Sequence, residues 1–210
     1  SPLSNSPPKA DKQEQKTREF KLPEPNSDMH RVYAYLIKQR FISADIITHF
    51  AKQHTLYEDK THHNAVFVGL NENGEPKQAH KRSTNSVGGT FRITCGGSDT
   101  RYSFAHFGEN ERLYVFEAPI DALSHATLQE LEGWKWNGYR LSLGGTSHVA
   151  LTSFLERHPE IRRVTLYMDH DLAGFVNARK IKTMLHEDKR FRHIRVSVNP
   201  PRMGKDYNEK

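Results

Sequence analysis

Cysteine is all but absent: Cys95 stands alone among 210 residues. That excludes a disulfide framework and any zinc ribbon built from cysteines. Long apolar runs are missing as well. None approaches the ~20 residues of a membrane-spanning helix, and no signal-peptide apolar segment opens the chain. These absences point to a cytoplasmic protein without membrane contact. Apolar residues make up only 35 % of the chain, low enough to predict that part of it stays unpacked. A strong charge imbalance is lacking too, since a net charge of +6 permits a polyanionic partner without requiring one. The histidines are scattered, and His62-His63 has no further ligand at zinc-like spacing, so that pair reads as loop chemistry.

What is present falls into three stretches. Residues 1–27 hold Pro, Ser, Lys and Gln with almost nothing apolar before Phe20 and Leu22. They read as a flexible linker, and with the end at Lys210 they suggest a piece cut from a longer protein. Residues 28–110 read as a small α+β domain. Asp28 can cap a helix with Val32, Leu36 and Ile37 inward, and Ser43 a second with Ile46, Ile47 and Phe50 inward. Such a helix pair is more often a packing device than a DNA reader. The texture then turns to β, with Ala65–Val68 and Pro76–Lys81 joined by a hairpin at Asn73-Gly74. Lys81 and Arg82, Gly88-Gly89 and Gly96-Gly97 follow, with short strands at Phe91–Ile93 and Arg101–Phe104.

Residues 111–210 alternate strand and helix, which predicts right-handed crossovers and a mainly parallel, four-stranded sheet flanked by helices. Leu113–Phe116 is the first strand, and Pro119 opens the helix after it. Tyr139–Leu143 is the second, ending in Gly144-Gly145, where a backbone or phosphate can come close; Ser147 opens the next helix. Val164–Met168 is the third and Ile194–Val198 the fourth. The first strand ends in Glu117 and the third in Asp169-His170-Asp171. Parallel strands align their carboxyl ends, so these three carboxylates can converge on the edge where open α/β sheets bind ligands. Anions that close repel one another, and Mg2+ or Mn2+ would remove the conflict. Asp121, one helical turn past Glu117, either supports the site or stabilises its helix start. A basic run from Arg179 to Lys205 reads first as a solvated face.

A strand ending in Glu, followed by a strand ending in Asp-x-Asp and a nearby Gly, resembles the Toprim domain of primases, topoisomerases and some nucleases. Phe116–Leu123 and Tyr167–Gly174 carry the two motifs, with Ala118 where many members have Gly. Gly204–Glu209 resembles the segment after the fourth strand in primase-like members, and Phe41 stands where a glycine is usual after the arginine. The upstream domain resembles an uncharacterised one that accompanies Toprim in proteins of mobile elements. The resemblance implies a Rossmann-like Toprim fold and metal-dependent phosphoryl or nucleotidyl transfer on DNA or RNA, with nucleotides as possible co-substrates. It implies catalytic and metal-binding roles for Glu117, Asp169 and Asp171, with Asp206 as a further ligand. Lys205, Gly144, Gly145, Lys81 and Arg82 would meet phosphates. Primer synthesis leads, a DNA-cutting nuclease is the alternative, and a non-catalytic nucleic-acid-binding module within a larger replication or mobile-element protein is a third.

Overall fold

The structure, a computed structural model, describes residues 18–85, 91–145 and 148–199. Two short helices come first, α1 (His30–Lys38) and α2 (Ala44–Lys52). Asp28 does not hold the capping position of α1, which falls to Met29; its carboxylate accepts instead from the His30 N–H. Ser43 does begin α2, but its hydroxyl donates to Glu130 at 2.6 Å rather than capping its own helix.

An antiparallel sheet follows, made of β1 (Leu56–Glu58), β2 (Ala65–Leu70), β3 (Pro76–Arg82) and β4 (Arg92–Thr94) in that spatial order. Strand alternation gives it two distinct faces. On one, Val66, Val68 and Ala79 are packed by Phe20 and Leu22. From residue 18 onward, therefore, the arm expected over 1–27 is packed against the sheet. Tyr57 donates its hydroxyl to the Pro23 carbonyl at 2.6 Å, and Pro25 bridges to Asp59. On the other face Phe67 joins Val32, Leu36, Ile46 and Phe50 of the helix pair.

The second sheet runs β5-β7-β6-β8-β9, from Ala105–His106, Tyr139–Ser142, Arg112–Phe116, Arg163–Tyr167 and Arg195–Val198 respectively. Its four longer strands are mutually parallel, as the alternation predicts. The fifth, β5, pairs antiparallel with β7, and it replaces the strand expected at Arg101–Phe104. The crossovers are α3 (Pro119–Leu131), α4 (Val149–Arg157) and α5 (Leu172–Glu187). Helices α4 and α5 cover one face, burying Leu151, Phe154, Ile181 and Leu185 against Leu113, Val115, Leu141, Val164 and Leu166. Helix α3 covers the other and is in turn covered by the helix pair, so every residue from Pro119 to Thr127 is buried. Ile120, Leu123 and Ala126 of α3 thus share one core with α1 and α2. The two halves of the chain are welded through that helix. Among the described residues, no helix is long and apolar enough to cross a membrane.

His106 lies in this weld, edge-on to Phe50 and His49 and tilted against Trp136, with 5 % exposure. Burial, then the Arg140 charge, then His49 push its imidazole down to about 3. Folded His106 is therefore neutral while the unfolded chain takes up a proton below about 6.5. Its stabilising contribution is complete above that pH and drains away as pH falls towards 3. The loss should reach roughly 2 kcal/mol by pH 5. We expect the stability difference between wild type and His106→Gln, read from urea unfolding, to shrink by about that amount from pH 7 to pH 5. A difference independent of pH would mean the folded imidazole titrates normally.

Candidate functional site

Register decides which residues meet. Phe116 lies opposite Tyr167 on one side and Ser142 on the other, so β6, β7 and β8 end nearly flush. The next residues of each strand therefore share one rim: Glu117, then Gly144 and Gly145, then Asp169 and Asp171. All five line a pocket of about 400 Å3. The Asp169 N–H points at Glu117 Oε2 at 3.4 Å, and the two carboxyls lie within hydrogen-bonding reach. Burial first, and then Asp169 and Asp171, push the Glu117 carboxyl up to about 7. A carboxyl that resists ionising beside a second one is held there against electrostatics, a pattern typical of functional sites.

Asp171 has a second task. Its Oδ1 accepts from the Gly174 N–H at 2.8 Å and so caps α5. Asp169, Asp171 and the helix start are locked together, because the Asp171 N–H also donates to the Asp169 carbonyl at 2.9 Å. Gly174 is required for that closure. A Cβ there would lie 1.9 Å from the Asp169 carbonyl oxygen. Gly174→Ala is expected to cost about 1–3 kcal/mol, the range for overpacking a rigid site. Its urea unfolding midpoint should fall, and a midpoint equal to wild type would show that the turn can relax. Gly144 and Gly145, with φ of 63° and 145°, form the tight bend after β7 that keeps the rim low between the acids.

The opposite wall of the pocket comes from the first sheet, which the sequence did not reveal. His80, Arg92, Ile93 and Thr94 line it. His80 pairs with Thr94, and Arg82 with Arg92. His80, Thr94, Arg82 and Arg92 share a face by alternation, and Arg82 and His80 lie on β3 two residues apart. Burial, then Arg92, then Arg82 push the His80 imidazole down to about 4, so it is neutral near pH 7. Lys81 pairs with Ile93 and shares the alternate face with Cys95, whose thiol feels its charge. Of the two basic residues expected at phosphates, then, Arg82 belongs to the face that meets the acids and Lys81 to the other. Arg92 joins the site, although by sequence it reads only as part of a short strand.

Asp121 is buried in the first turn of α3 and does not line the pocket. Lys205, Asp206 and Gly88-Gly89 lie outside the described residues, as does Ser147. Of the late basic run, Arg190 is tied to Asp188 and Glu156, while Arg179 and Lys182 line a separate groove with His186.

Among the described residues, no three His, Cys, Asp or Glu side chains are placed to grip one ion together. The donors at the rim are nevertheless carboxylate oxygens, with an open cleft in front. Mg2+ takes such a set, because it keeps most of its waters and binds through one or two carboxylates plus substrate phosphates. The residues fit a hard divalent ion, which Glu117 and Asp169, with Asp171 beside them, would hold.

Comparison with known proteins places this geometry. Residues 114–210 match a family described as Toprim-like, and residues 34–110 match a family described only as a protein of unknown function, DUF3991. No curated protein matches the sequence. The primase fragment of the bacteriophage T7 primase-helicase protein superposes over 82 % of this chain and 66 % of its own, at 19 % identity and a TM-score of 0.57. The E. coli primase catalytic core does so over 85 % and 67 %, at 15 % identity and 0.59. A DnaG primase catalytic domain bound to ssDNA does so over 88 % and 70 %, at 15 % identity and 0.58. The chain thus spans about two thirds of the length of the T7 fragment. At these identities the likeness is one of fold, and it extends across both sheets. Residues 114–210 match the Toprim-like family, residues 34–110 match the DUF3991 family, and together they share the fold of a primase catalytic core.

Proposed function

We propose that the chain performs metal-dependent nucleotidyl transfer on nucleic acid, as a primase-like unit of a larger DNA-processing protein. The observation that carries this reading is the pocket with two unlike walls. On one side Glu117 and Asp169 meet at the ends of adjacent parallel strands; on the other stands Arg92, with Arg82, outside the lining itself, as its cross-strand neighbour. Carboxylates attract a divalent cation, guanidinium groups attract phosphate, and a nucleic-acid strand brought to such a cleft meets both. When bound, a divalent ion would neutralise phosphate oxygens and fix the in-line geometry of attack.

The chain's own residues supply the rest. Glu117, whose carboxyl is lifted to about 7 by burial and its acidic neighbours, would shed that proton when the ion binds and turn a carboxylate oxygen to it. Arg92 and Arg82 would seat the phosphates of the strand, and neutral His80 adds a hydrogen-bonding group without further charge. The bend at Gly144-Gly145 leaves the rim free of side chains where a phosphate would pass.

The test is product formation. The chain is incubated with Mg2+ or Mn2+, labelled nucleotides and single-stranded DNA, and separately with supercoiled DNA. Short labelled primers that vanish with Asp169→Asn support the proposal. Nicked or linear DNA that depends on Asp169 would replace it with nuclease action. No product at all, with DNA binding unaltered by Asp169→Asn, would make the chain a binding module.

A further inference from the structure

A second cavity, of about 380 Å3, opens between α1 and the end of β3. Arg31, Tyr35, Lys38, Gln39, Thr84 and Asn85 line it. Arg31 and Lys38 fall on one side of α1, spaced as i and i+7 with Tyr35 between them, while Val32 and Leu36 face the core. Among the described residues no acidic side chain lines the cavity and neither cation has an acidic partner. Some exposed cations elsewhere, Lys60, Lys77, Arg101 and Arg163, are paired with a neighbouring carboxylate. The cavity is therefore a place of uncompensated positive charge ringed by amide and hydroxyl groups.

Its position gives it meaning. His80 of β3 lines the acidic pocket, and Thr84 and Asn85, a few residues further along the same segment, line this one. At ~3.3 Å per residue, His80 and Thr84 are separated by about 13 Å. Arg82 stands between them on the face that bears His80, with Arg92 as its cross-strand partner. The face leading away from the carboxylates is thus floored with cations and ends in a cationic hollow.

We propose that this hollow holds a backbone phosphate of the same single strand whose reacting end lies at Glu117 and Asp169, which makes the DUF3991 domain the strand-holding part of the molecule. The inference rests on the proposed function and extends it. A phosphodiester is a single anion and needs only the cations and hydrogen-bond donors present here. A nucleoside triphosphate would bring a divalent ion with it, and no carboxylate of the described residues lines this cavity to receive one. The strand is therefore the occupant that the chemistry favours.

The test uses the full chain with Arg31→Ala and Lys38→Ala combined. Both positions are exposed on a helix, where alanine is well tolerated, and unchanged melting would verify the fold. Binding of a fluorescent ~20-nucleotide single strand, followed by anisotropy over a range of salt, should weaken about 10-fold, with the log–log salt slope reduced by about 0.7, the share of one single-strand phosphate contact. The loss should be smallest for a four-nucleotide strand, which can occupy the acidic pocket alone. Removing equal charge elsewhere, with Lys52→Ala and Lys180→Ala, should leave affinity near wild type. Wild-type affinity and slope in the Arg31/Lys38 variant would overturn the inference while leaving the proposed function standing. Loss of ATP binding in place of strand binding would turn the hollow into a nucleotide site and equally overturn it. If the wild-type chain binds no strand of either length, the proposed function fails and takes this inference with it.

Discussion

Glu117→Gln is expected to abolish product formation, by at least ~100-fold, while making the metal-free protein more stable at pH 8. The two effects share one cause. Burial and the adjoining Asp169 and Asp171 lift the Glu117 carboxyl to about 7, above its ordinary value of 4.5. The folded protein thus holds a proton that the unfolded chain has already released. A raised carboxyl of this kind leaves stability intact below about 4.5, erodes it as pH climbs to about 7, and costs its full amount above. Glutamine has the same shape and no charge to lose, so the erosion disappears. The shift alone would be worth about 3 kcal/mol, and solvent at this half-buried rim reduces that to about 1–2. Urea unfolding of both proteins between pH 4.5 and 8, with chelator present, should show the variant's advantage growing over that window. Adding Mg2+ should stabilise wild type and largely fail to stabilise the variant, because ligand binding adds stability only where the site is intact. A variant less stable than wild type at pH 8 would mean that Glu117 is held by its neighbours rather than strained by them.

That strain was partly visible in the sequence. The runs Leu113–Phe116 and Val164–Met168 are apolar on both faces, as buried parallel strands must be, and each hands a carboxylate to its end. Strand, crossover and strand then leave little choice about where Glu117 and Asp169 lie. The basic wall was not legible for the corresponding reason. It belongs to an antiparallel sheet whose register depends on the hairpin at Asn71–Gly74 and on pairing with β4, and a slip of one residue exchanges Lys81 for Arg82. Two-residue β5 is too short to leave a periodic signature, and it lies in the stretch where the sequence pattern suggested a strand slightly upstream. The docking of α3 under α1 and α2 is also beyond local reading. Its surface, with Ser124, His125 and Thr127 buried as fully as the apolar residues, has no single stripe that would announce two partners.

Arg140→Ala is expected to be the most destabilising single change, at about 3–5 kcal/mol, because it empties a buried cationic network rather than a surface contact. Arg140 reads in the sequence as an ordinary alternating residue of β7, yet it has no exposed surface at all. Its Nε donates to His125 Nδ1 at 3.1 Å and its Nη1 to the carbonyls of Trp136 and Gly138 at 3.2 and 3.1 Å. Nη1 also meets His106 Nδ1 at 2.9 Å, Nη2 reaches Gln129, and the guanidinium lies 5.4 Å from the Tyr114 ring centre. Alanine removes the donor from all of these acceptors, and at the buried ones, on His125, His106 and Gly138, each orphan costs about 1–3 kcal/mol before relaxation. The damage is directional. Gln129 and His125 belong to α3, His106 to β5 and Trp136 to the loop before β7, so the guanidinium ties together the helix and strands on which α1 and α2 rest. For a chain of this size the melting temperature should fall by roughly 10 °C or more. Arg140→Met, which keeps most of the volume but none of the donors, should recover only the packing part of the loss. If Met restored wild-type melting, the network would be stabilising by bulk alone, and the fixed, neutral state of His106 would need another cause. If Met stays low, the bonds themselves hold the two halves of the cleft in register, and strand binding at the basic wall should weaken with the melting point.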